Sequence, residues 1–190
     1  MKTLIIYAHP SHNGHHGYFL AQCEKYLQEK NMDFEVLDLY RESFNPCLSA
    51  NELSGGHQTE GVIKEYQDKI TRADKLIIIY PTWWQGAPAM LKGFFDRVFS
   101  AHFGFIYQHG VPIGLLKGRR AAVFSASGSP RWYNKFILHD RSLRTITRHT
   151  LRFCGIICRG FSVGSARKFS DRQKARIDKA CQAAMRYLYR

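Results

Sequence analysis

The sequence predicts an α/β fold in which helices cover both faces of a five-stranded parallel sheet, giving a three-layer sandwich. Short apolar, β-branched runs alternate with segments of helical periodicity, as in right-handed βαβ units. Five such runs in a chain of 190 residues favour the strand order 2-1-3-4-5. Since no linker, repeat or low-complexity tract interrupts them, residues 1–190 are expected to form one domain.

The third predicted strand shows how the elements are assigned. Leu76–Tyr80 is a continuous apolar run, too short for a typical helix, which suits a strand covered on both faces. The full set of predicted strands is Thr3–Ala8, Phe34–Leu39, Leu76–Tyr80, Ala121–Ser125 and Ile156–Val163. The predicted helices are Tyr18–Lys30, Gly61–Arg72, Pro88–His102, Lys135–Phe153 and Asp171–Tyr189.

The segment after the third strand is the most informative part of the chain. Pro81 ends the strand, and Pro88 suits the first turn of the next helix, where a missing N–H costs nothing. The loop between them lies at the carboxyl end of a strand, where open α/β sheets bind ligands. Its neighbouring tryptophans, Trp83 and Trp84, favour a pocket for a flat ring over simple core packing.

The loop after the first strand, from His9 to Tyr18, leads into a helix whose free N–H groups and dipole favour a phosphate. In the order 2-1-3-4-5 the loops after strands one and three meet at the switch point, which supports a nucleotide-like cofactor. Neither a Walker A nor a G-x-G-x-x-G fingerprint is present. The loop contains four histidines, but no carboxylate or cysteine completes a metal site, so no metal is predicted and His12 is expected to be an ordinary surface or capping residue.

Composition narrows the functional class. The chain is 45% hydrophobic, begins directly with a strand instead of a signal peptide, and has no apolar run near the ~20 residues that span a bilayer. A cytoplasmic protein without stable membrane insertion is therefore predicted. Five cysteines, an odd number, do not suggest a disulfide framework.

The net charge of +13 is concentrated in the second half of the chain. Up to Phe95 there are nine Lys and Arg against eleven Asp and Glu, and from Asp96 onward nineteen against four, so the halves carry −2 and +15. This charge is expected to steer an anionic cofactor such as NADPH towards its cleft. Nucleic acid and an acidic membrane are less favoured partners, because the basic residues follow no helix-turn-helix or RNP-type pattern.

Several motifs together resemble a known family. The run from Pro81 to Gly93, PTWWQGAPAMLKG, is similar to the Pro-x-x-Trp-x-Gly-x-Pro-Ala-x-Leu-Lys-Gly signature of the flavodoxin-like NAD(P)H:quinone oxidoreductases. The segment Thr3–Pro10 resembles the first strand of that family and the Ala-His-Pro loop that binds flavin phosphate. Further matches, at Asp38-Leu39-Tyr40, Phe44-Asn45-Pro46 and Phe153-Cys154-Gly155, extend the similarity over nearly the whole chain.

The resemblance implies a flavodoxin-like fold and a flavin-dependent enzyme that passes two electrons as hydride from NAD(P)H to a quinone or similar acceptor. It implies Tyr133 and His139 as catalytic residues near flavin N1 and O2, where they would stabilise the charge left by an arriving hydride. The small-residue loop after the fourth strand suits close backbone approach. The implied cofactor-binding residues are His9, Ser11, Gly14, His15, His16, Pro81, Thr82, Trp83, Trp84, Gly86, Ser127 and Gly128.

Cofactor and partner follow from the same resemblance. The short chain favours FMN, with FAD possible and NAD(P)H as a transient co-substrate. A homodimer with the active site at its interface is implied, to which Phe103, Phe105, Ile106 and Tyr107 would contribute apolar surface. Three alternatives remain open: an azo- or nitroreductase, a flavin-binding regulatory subunit of a potassium-efflux system, and a flavodoxin-like electron carrier.

Overall fold

The computed structural model, which describes residues 2–53 and 61–190, contains a five-stranded parallel sheet. Its strands are β1 (Thr3–Tyr7), β2 (Phe34–Asp38), β3 (Lys75–Pro81), β6 (Arg120–Ala126) and β7 (Ile157–Val163), in the order β2-β1-β3-β6-β7. Counted along the chain, these five strands have the predicted order 2-1-3-4-5, and the flavodoxin-like topology is confirmed. β4 (Phe105–Gln108) and β5 (Val111–Gly114) form a separate antiparallel hairpin that the sequence pattern did not predict.

Alternation along the central strands divides the core into two layers. In β3, Leu76, Ile78 and Tyr80 point into one buried cluster, while Ile77 and Ile79 point into the other. Successive side chains of a strand face opposite sides of the sheet, so a run covered on both faces is apolar throughout. The continuous apolar runs of the sequence therefore predicted these strands to within about two residues.

Helices cover both layers. On one face lie α1 (His15–Glu29) and α6 (Asp171–Leu188), whose buried residues join the cluster that contains Ile77. On the other lie α3 (Gly61–Arg72) and α4 (Ala89–Val98). Two four-residue helices, α2 (Ala50–Leu53) and α5 (Arg141–Arg144), complete the set in the described residues. None of the helices in residues 2–53 and 61–190 combines the length and apolar character needed to cross a membrane.

The predicted continuous helix Lys135–Phe153 is wrong. The structure has a π-helical segment at Tyr133–Ile137, then α5, then a second π-helical segment at Thr145–Leu151. His139 and Asp140 separate the first segment from α5 with φ values of 52° and 50°, a left-handed conformation that interrupts any helix. Hydrogen bonds of Asn134, Asp140 and Ser142 hold the segments around this break.

The other differences are smaller. α1 begins at His15, three residues before the predicted start, and α4 ends at Val98, four residues before the predicted end. All five cysteines are free, and four of them are buried. Two of these, Cys23 on α1 and Cys181 on α6, face each other with their sulfur atoms 3.8 Å apart.

Candidate functional site

A cleft of about 220 Å³ opens at the carboxyl ends of β1, β3 and β6. It therefore lies at the point where the chain order of the sheet reverses, the position at which doubly wound sheets bind ligands. The residues that line it come from four loops and the first turn of α1: His9, Asn13, Gly14, His15, His16, Pro81, Thr82, Trp83, Ala126, Ser127, Gly128 and Ala166.

Hydrogen bonds fix the loop between β1 and α1. The Tyr7 hydroxyl donates to the carbonyl oxygen of Ser11 at 2.8 Å, and the same oxygen lies 2.6 Å from Nδ1 of His9. Ser11 thus organises the loop through its backbone, and its side chain does not line the cleft. Nε2 of His12 lies 2.6 Å from an Asp38 carboxylate oxygen, so this imidazole pairs with the end of β2.

The first turn of α1 depends on two glycines. Gly14 precedes the helix with a φ of 83°, which favours glycine, and a Cβ there would meet open space. At Gly17 a Cβ would lie 1.5 Å from the carbonyl oxygen of His12, so the loop passes directly over the helix. The first helical bond joins the Tyr18 N–H to the Gly14 carbonyl, and the N–H groups of His15, His16 and Gly17 have no backbone acceptor in the described residues.

His15 and His16 occupy this turn in an unusual environment. They are 9% and 7% exposed, and the Nε2 atom of each is buried with no hydrogen-bond partner. Burial lowers the pKa of His15. Burial, reinforced by the neighbouring imidazoles of His9 and His15, lowers the pKa of His16 to about 3, although a hydrogen bond to the Tyr80 backbone acts in the opposite direction. The His16 ring stacks on His9 with centroids 4.8 Å apart, while the His15 ring contacts the edge of Phe169.

The loop after β3 forms a tight turn at the cleft. The N–H of Trp83 donates to the Gly86 carbonyl at 3.0 Å, and the N–H of Gly86 donates back at 2.8 Å. Trp84 and Gln85, the central residues, have φ values of 50° and 60°, as in a type I′ turn. Positive φ is rare for a bulky side chain such as tryptophan, and such strain concentrates at functional sites. The Trp84 side chain is fully exposed, whereas Trp83 is 44% exposed and lines the cleft.

This turn changes which backbone donors are free. The family resemblance places the N–H groups from Thr82 to Gly86 against a ring. The Thr82 N–H instead donates to the Ala126 carbonyl, and Trp83 and Gly86 satisfy each other. Among the described residues, the N–H groups of Trp84 and Gln85 have no backbone acceptor. Gly86 does not line the cleft, and a Cβ there would meet only the Trp83 carbonyl oxygen, at an ordinary 3.6 Å.

The loop after β6 connects the cleft to the broken helix. Nδ2 of Asn134 donates to the hydroxyl of Ser127 at 2.6 Å and to the carbonyl of Ser129 at 3.2 Å. Gly128 lines the cleft, and a Cβ there would lie 3.6 Å from Cγ of Arg167. A cation from the loop after β7 therefore stands beside the cleft.

A second, much smaller cavity of about 20 Å³ separates the cleft from the broken helix. Hydroxyl groups dominate its wall, which includes Thr82, Ser125, Ser127, Ser142 and Ser162. Its size matches a single water molecule. The Ser142 hydroxyl donates to Tyr80 at 3.1 Å, and burial raises the pKa of Tyr80 to about 12. The cavity is thus a polar space behind the cleft, and Asp140 also lines it.

Tyr133 and His139 lie outside the cleft wall. Both side chains are exposed, and no hydrogen bond joins them to each other. Asp140, next to His139, forms a bidentate ion pair with Arg131 at 2.8 and 3.1 Å, which closes the segment into a loop. The broken helix is therefore fixed at Asn134 and Asp140, and it carries Tyr133 and His139 on its exposed side.

The structure brings together most of the residues that the sequence singled out. Nine of the twelve candidate cofactor-binding residues line the cleft: His9, Gly14, His15, His16, Pro81, Thr82, Trp83, Ser127 and Gly128. The other three, Ser11, Trp84 and Gly86, belong to the same loops without lining it. The sequence pattern did not single out Asn13, Ala126 and Ala166. The first two follow predicted strands and could have been included on that ground, but Ala166 carries no such signal.

The four histidines of the first loop do not form a metal centre in the structure. Across residues 2–53 and 61–190, no three His, Cys, Asp or Glu side chains are grouped so that they could hold a metal ion. His12 points to Asp38, and the other three imidazoles face the cleft, where no carboxylate lines the wall.

Comparison with known proteins places this geometry in context. A family model described as a flavodoxin-like fold matches residues 1–188. The chain is 35% identical to an uncharacterized NAD(P)H oxidoreductase of Haemophilus influenzae, over 96% of this chain and 93% of that protein. It is similar to the structure of an NAD(P)H:quinone oxidoreductase from Methanothermobacter marburgensis, with a TM-score of 0.88, 26% identity and coverage of 100% and 98%. An FMN-dependent NADH-azoreductase from Bacillus anthracis, solved in complex with FMN, shares the fold at a TM-score of 0.80 and 23% identity, covering 98% and 99%.

Proposed function

The chain belongs to the flavodoxin-like fold family, and we propose that it is an NAD(P)H oxidoreductase whose flavin passes two electrons to a quinone or similar acceptor. The observation that carries this proposal is the cleft at the switch point of the sheet. Its wall includes His15 and His16, whose buried Nε2 atoms have no partner and whose N–H groups have no backbone acceptor in the described residues. Buried polar groups are normally hydrogen-bonded, so the cleft has polar groups available to a bound cofactor.

The residues present fit a flavin phosphate. The free N–H groups at the start of α1 and the dipole of that helix favour an anion. Gly14 leaves open space in front of them, and Arg167 adds a positive charge at the edge of the cleft. Ser127 and Gly128 provide a small-residue wall that a bound group can approach closely. In the part of the chain that the structure describes, no carboxylate lines the cleft to oppose the anion.

The turn after β3 fits the ring end of the cofactor. Trp84 and Gln85 present the two N–H groups left free by the turn, and Trp83 borders the cleft with its indole. When bound, a flavin accepts a hydride from nicotinamide and delivers two electrons to an acceptor in a second half-reaction. The protein supplies orientation and polar contacts.

Tyr133 and His139 are proposed to stabilise negative charge at the N1/O2 edge of the ring. The proposal is supported by where these two residues lie: Asn134, in the same segment, donates a hydrogen bond to Ser127, which lines the cleft. A phenol O–H donates a hydrogen bond to a developing anion, and an imidazole behind it can hold a proton. Because both side chains are exposed, we expect them to act from the open side of the site.

The size of the cleft supports FMN and a second subunit. At about 220 Å³ it is smaller than the roughly 300–1,000 Å³ of typical ligand pockets. It therefore favours the shorter cofactor over FAD, and it needs a further wall to enclose substrate. Large apolar side chains stand exposed on the turn after β3, on the hairpin and on the helical segment around Tyr133, namely Trp84, Tyr107, Val111, Trp132 and Phe136. We propose that a second copy of the chain covers them and completes the site.

The test is purification of the full chain followed by analysis of its bound cofactor. We expect a yellow protein that releases FMN on heating, runs as a dimer in sedimentation, and oxidises NAD(P)H only when a quinone is added. A colourless protein whose addition does not quench the fluorescence of FMN or FAD would overturn the flavin assignment. Bound flavin with no turnover on quinones or azo compounds would favour the regulatory subunit, and a stable blue semiquinone would favour the electron carrier.

A further inference from the structure

The start of α1 contains more unsatisfied polar groups than a helix end normally does. His15 and His16 are both more than nine-tenths buried, yet neither Nε2 atom has a hydrogen-bond partner. Leaving a buried polar group unpaired costs about 1–3 kcal/mol. His15 and His16 also line the cleft, and their helix N–H groups have no backbone acceptor in the described residues, at the positive end of a helix of 15 residues. The two imidazoles and the helix end are thus grouped at one side of the cleft.

The imidazoles are neutral while the cleft holds no anion. Burial and the adjacent imidazoles lower the pKa of His16 to about 3, and burial lowers that of His15. A positive charge on the buried His16 ring, which stacks on His9, is unfavourable unless an anion compensates it. A phosphate within hydrogen-bond distance raises the pKa of an imidazole, because a nearby negative charge favours the protonated form.

The charged groups around His15 and His16 are compatible with protonation of these rings when an anion binds. On the loop after β1 the neighbour is His9, and on the loop after β7 it is Arg167, whose side chain packs beside Gly128. At the end of β3, a hydrogen bond to the Tyr80 backbone favours the protonated form of His16. The loop after β3 contributes Pro81, Thr82 and Trp83 to the cleft, none of which has a titratable side chain near neutral pH. Asp38 is paired with His12 and Arg41. On α6, the carboxylates of Asp171 and Asp178 face Tyr18, whose pKa is raised by burial and by these two groups.

We propose that a phosphate monoester binds at the start of α1 and that His15 and His16 take up protons from solvent as it binds. The inference rests on the proposed function in that the phosphate is taken to be that of FMN. No covalent bond changes: each proton gained by an imidazole is lost by the buffer. The histidines then differ from ordinary phosphate-binding donors, because their positive charge exists only in the complex.

The consequence is a cofactor affinity that depends on pH. Each proton taken up strengthens binding by up to about tenfold for every unit that the pH falls. This dependence applies above about pH 6.5, since the phosphate itself gains a proton near pH 6. The complex is therefore tightest in the slightly acidic range, and it weakens as the pH rises to about 8.

Proton uptake can be measured directly by titration calorimetry of the flavin-free full chain with FMN at about pH 7. Runs in phosphate-free buffers of different ionisation enthalpy give the number of protons bound. We expect roughly half a proton or more per FMN. His15→Gln and His16→Gln keep a hydrogen-bond donor but cannot titrate, so each is expected to reduce the number. His12→Gln is the matched control, because His12 lies in the same loop but pairs with Asp38. Riboflavin, which lacks the phosphate, is expected to bind without proton uptake.

The outcomes separate this inference from the proposed function. FMN binding with no proton uptake, or with uptake unchanged in both variants, would overturn the inference. The proposed flavoenzyme function would not be affected by that result. Equal uptake with riboflavin would overturn it too. If neither FMN nor FAD binds, the flavin proposal fails, and NMR titration of the histidine rings with inorganic phosphate decides whether the anion site exists. The same NMR measurement on the unaltered chain replaces the calorimetry if a variant does not fold, and rings that do not become protonated would contradict the inference.

Discussion

Gly86 is the residue at which the proposed ring site can be tested with the least effect on the fold. A Cβ there meets only the Trp83 carbonyl oxygen at 3.6 Å, and the φ of Gly86 is not in the left-handed region. We expect Gly86→Val to weaken flavin binding about tenfold or more, because the branched side chain would stand in the turn whose Trp84 and Gln85 N–H groups are proposed to face the ring. Fluorescence titration with FMN measures the affinity.

Gly61→Val is the matched control, since a Cβ at Gly61 meets no atom of residues 2–53 and 61–190 within 4 Å and this residue begins α3. Its flavin affinity should stay unchanged. Both variants should unfold within a few degrees of the parent chain in a thermal melt. Unaltered FMN affinity in Gly86→Val would remove the turn from the proposed binding site.

Tyr133 and His139 are tested by the rate of flavin reduction. Tyr133→Phe and His139→Gln should each slow reduction by NAD(P)H about tenfold or more, because they would remove contacts made only as charge develops. Flavin content should not change, and the double variant should lose less than the product of the two single losses. Stopped-flow bleaching of the flavin absorbance measures the rate. Lys135→Gln, on the same exposed segment, serves as the control. If both single variants are reduced at the parent rate, Tyr133 and His139 have no role in flavin reduction.

His16 makes the stability of the flavin-free protein depend on pH. Its folded-state pKa of about 3 lies below the ordinary 6.5 of histidine, so between these values the unfolded chain binds more protons than the folded one. Folding is therefore fully favoured above about pH 6.5 and loses up to about 1.4 kcal/mol per pH unit below it. Urea unfolding at about pH 7, 6 and 5 should show this loss, with a shallower slope in His16→Gln. Parallel slopes would indicate that His16 is protonated in the folded state.

The connection between β1 and α1 depends on the absence of a side chain at Gly17. A Cβ at this position would lie 1.5 Å from a backbone oxygen, which cannot move without displacing the loop. We expect Gly17→Ala to lower the free energy of unfolding by about 3 kcal/mol or more, although alanine is the better helix former. Denaturant unfolding measures the change. Gly61→Ala, the control, should leave the free energy of unfolding unchanged or raise it slightly. An unchanged free energy of unfolding in Gly17→Ala would show that the loop can move away from the helix.

The broken helix shows how tertiary contacts override helical periodicity. From Lys135 to Phe153 the apolar spacing is helical, and most of the segment does take up α- or π-helical turns. On either side of the interruption at His139 and Asp140, Asn134 donates to the Ser127 hydroxyl and Ser142 donates to the Tyr80 hydroxyl. The Tyr80 contact exists only when the segment packs against β3, so no local pattern reports it.

The charge of the whole molecule is expected to select the nicotinamide cofactor. With a net charge of +13, concentrated after Asp96, the protein should attract NADPH, which carries one phosphate more than NADH. We expect a higher kcat/KM for NADPH at low ionic strength. The preference should shrink as salt is added, since exposed charges are screened over about 8 Å at physiological ionic strength. Steady-state kinetics with both cofactors across a series of salt concentrations measure the preference, and equal kcat/KM values at low salt would contradict the prediction.

The sequence by itself determined the sheet, its strand order and the loops that surround the cleft. Buried parallel strands such as β3 are apolar along their whole length, and the carboxyl ends of β1 and β3 necessarily meet where the order reverses. The loop residues His9, His16 and Trp83 could therefore be chosen from their positions in the chain. These features depend on local composition and on topology, both of which a sequence records.

Only the tertiary structure decided which groups remain unsatisfied. Whether an N–H is free depends on where another loop lies, as Thr82 bonded to Ala126 and the Trp83–Gly86 turn show. The burial of His16 and the approach of Ala166 likewise result from packing between elements far apart in the chain. Hydrogen-bond partners and desolvation are properties of three-dimensional neighbours, and for that reason the chemistry of the cleft could not be derived from the sequence alone.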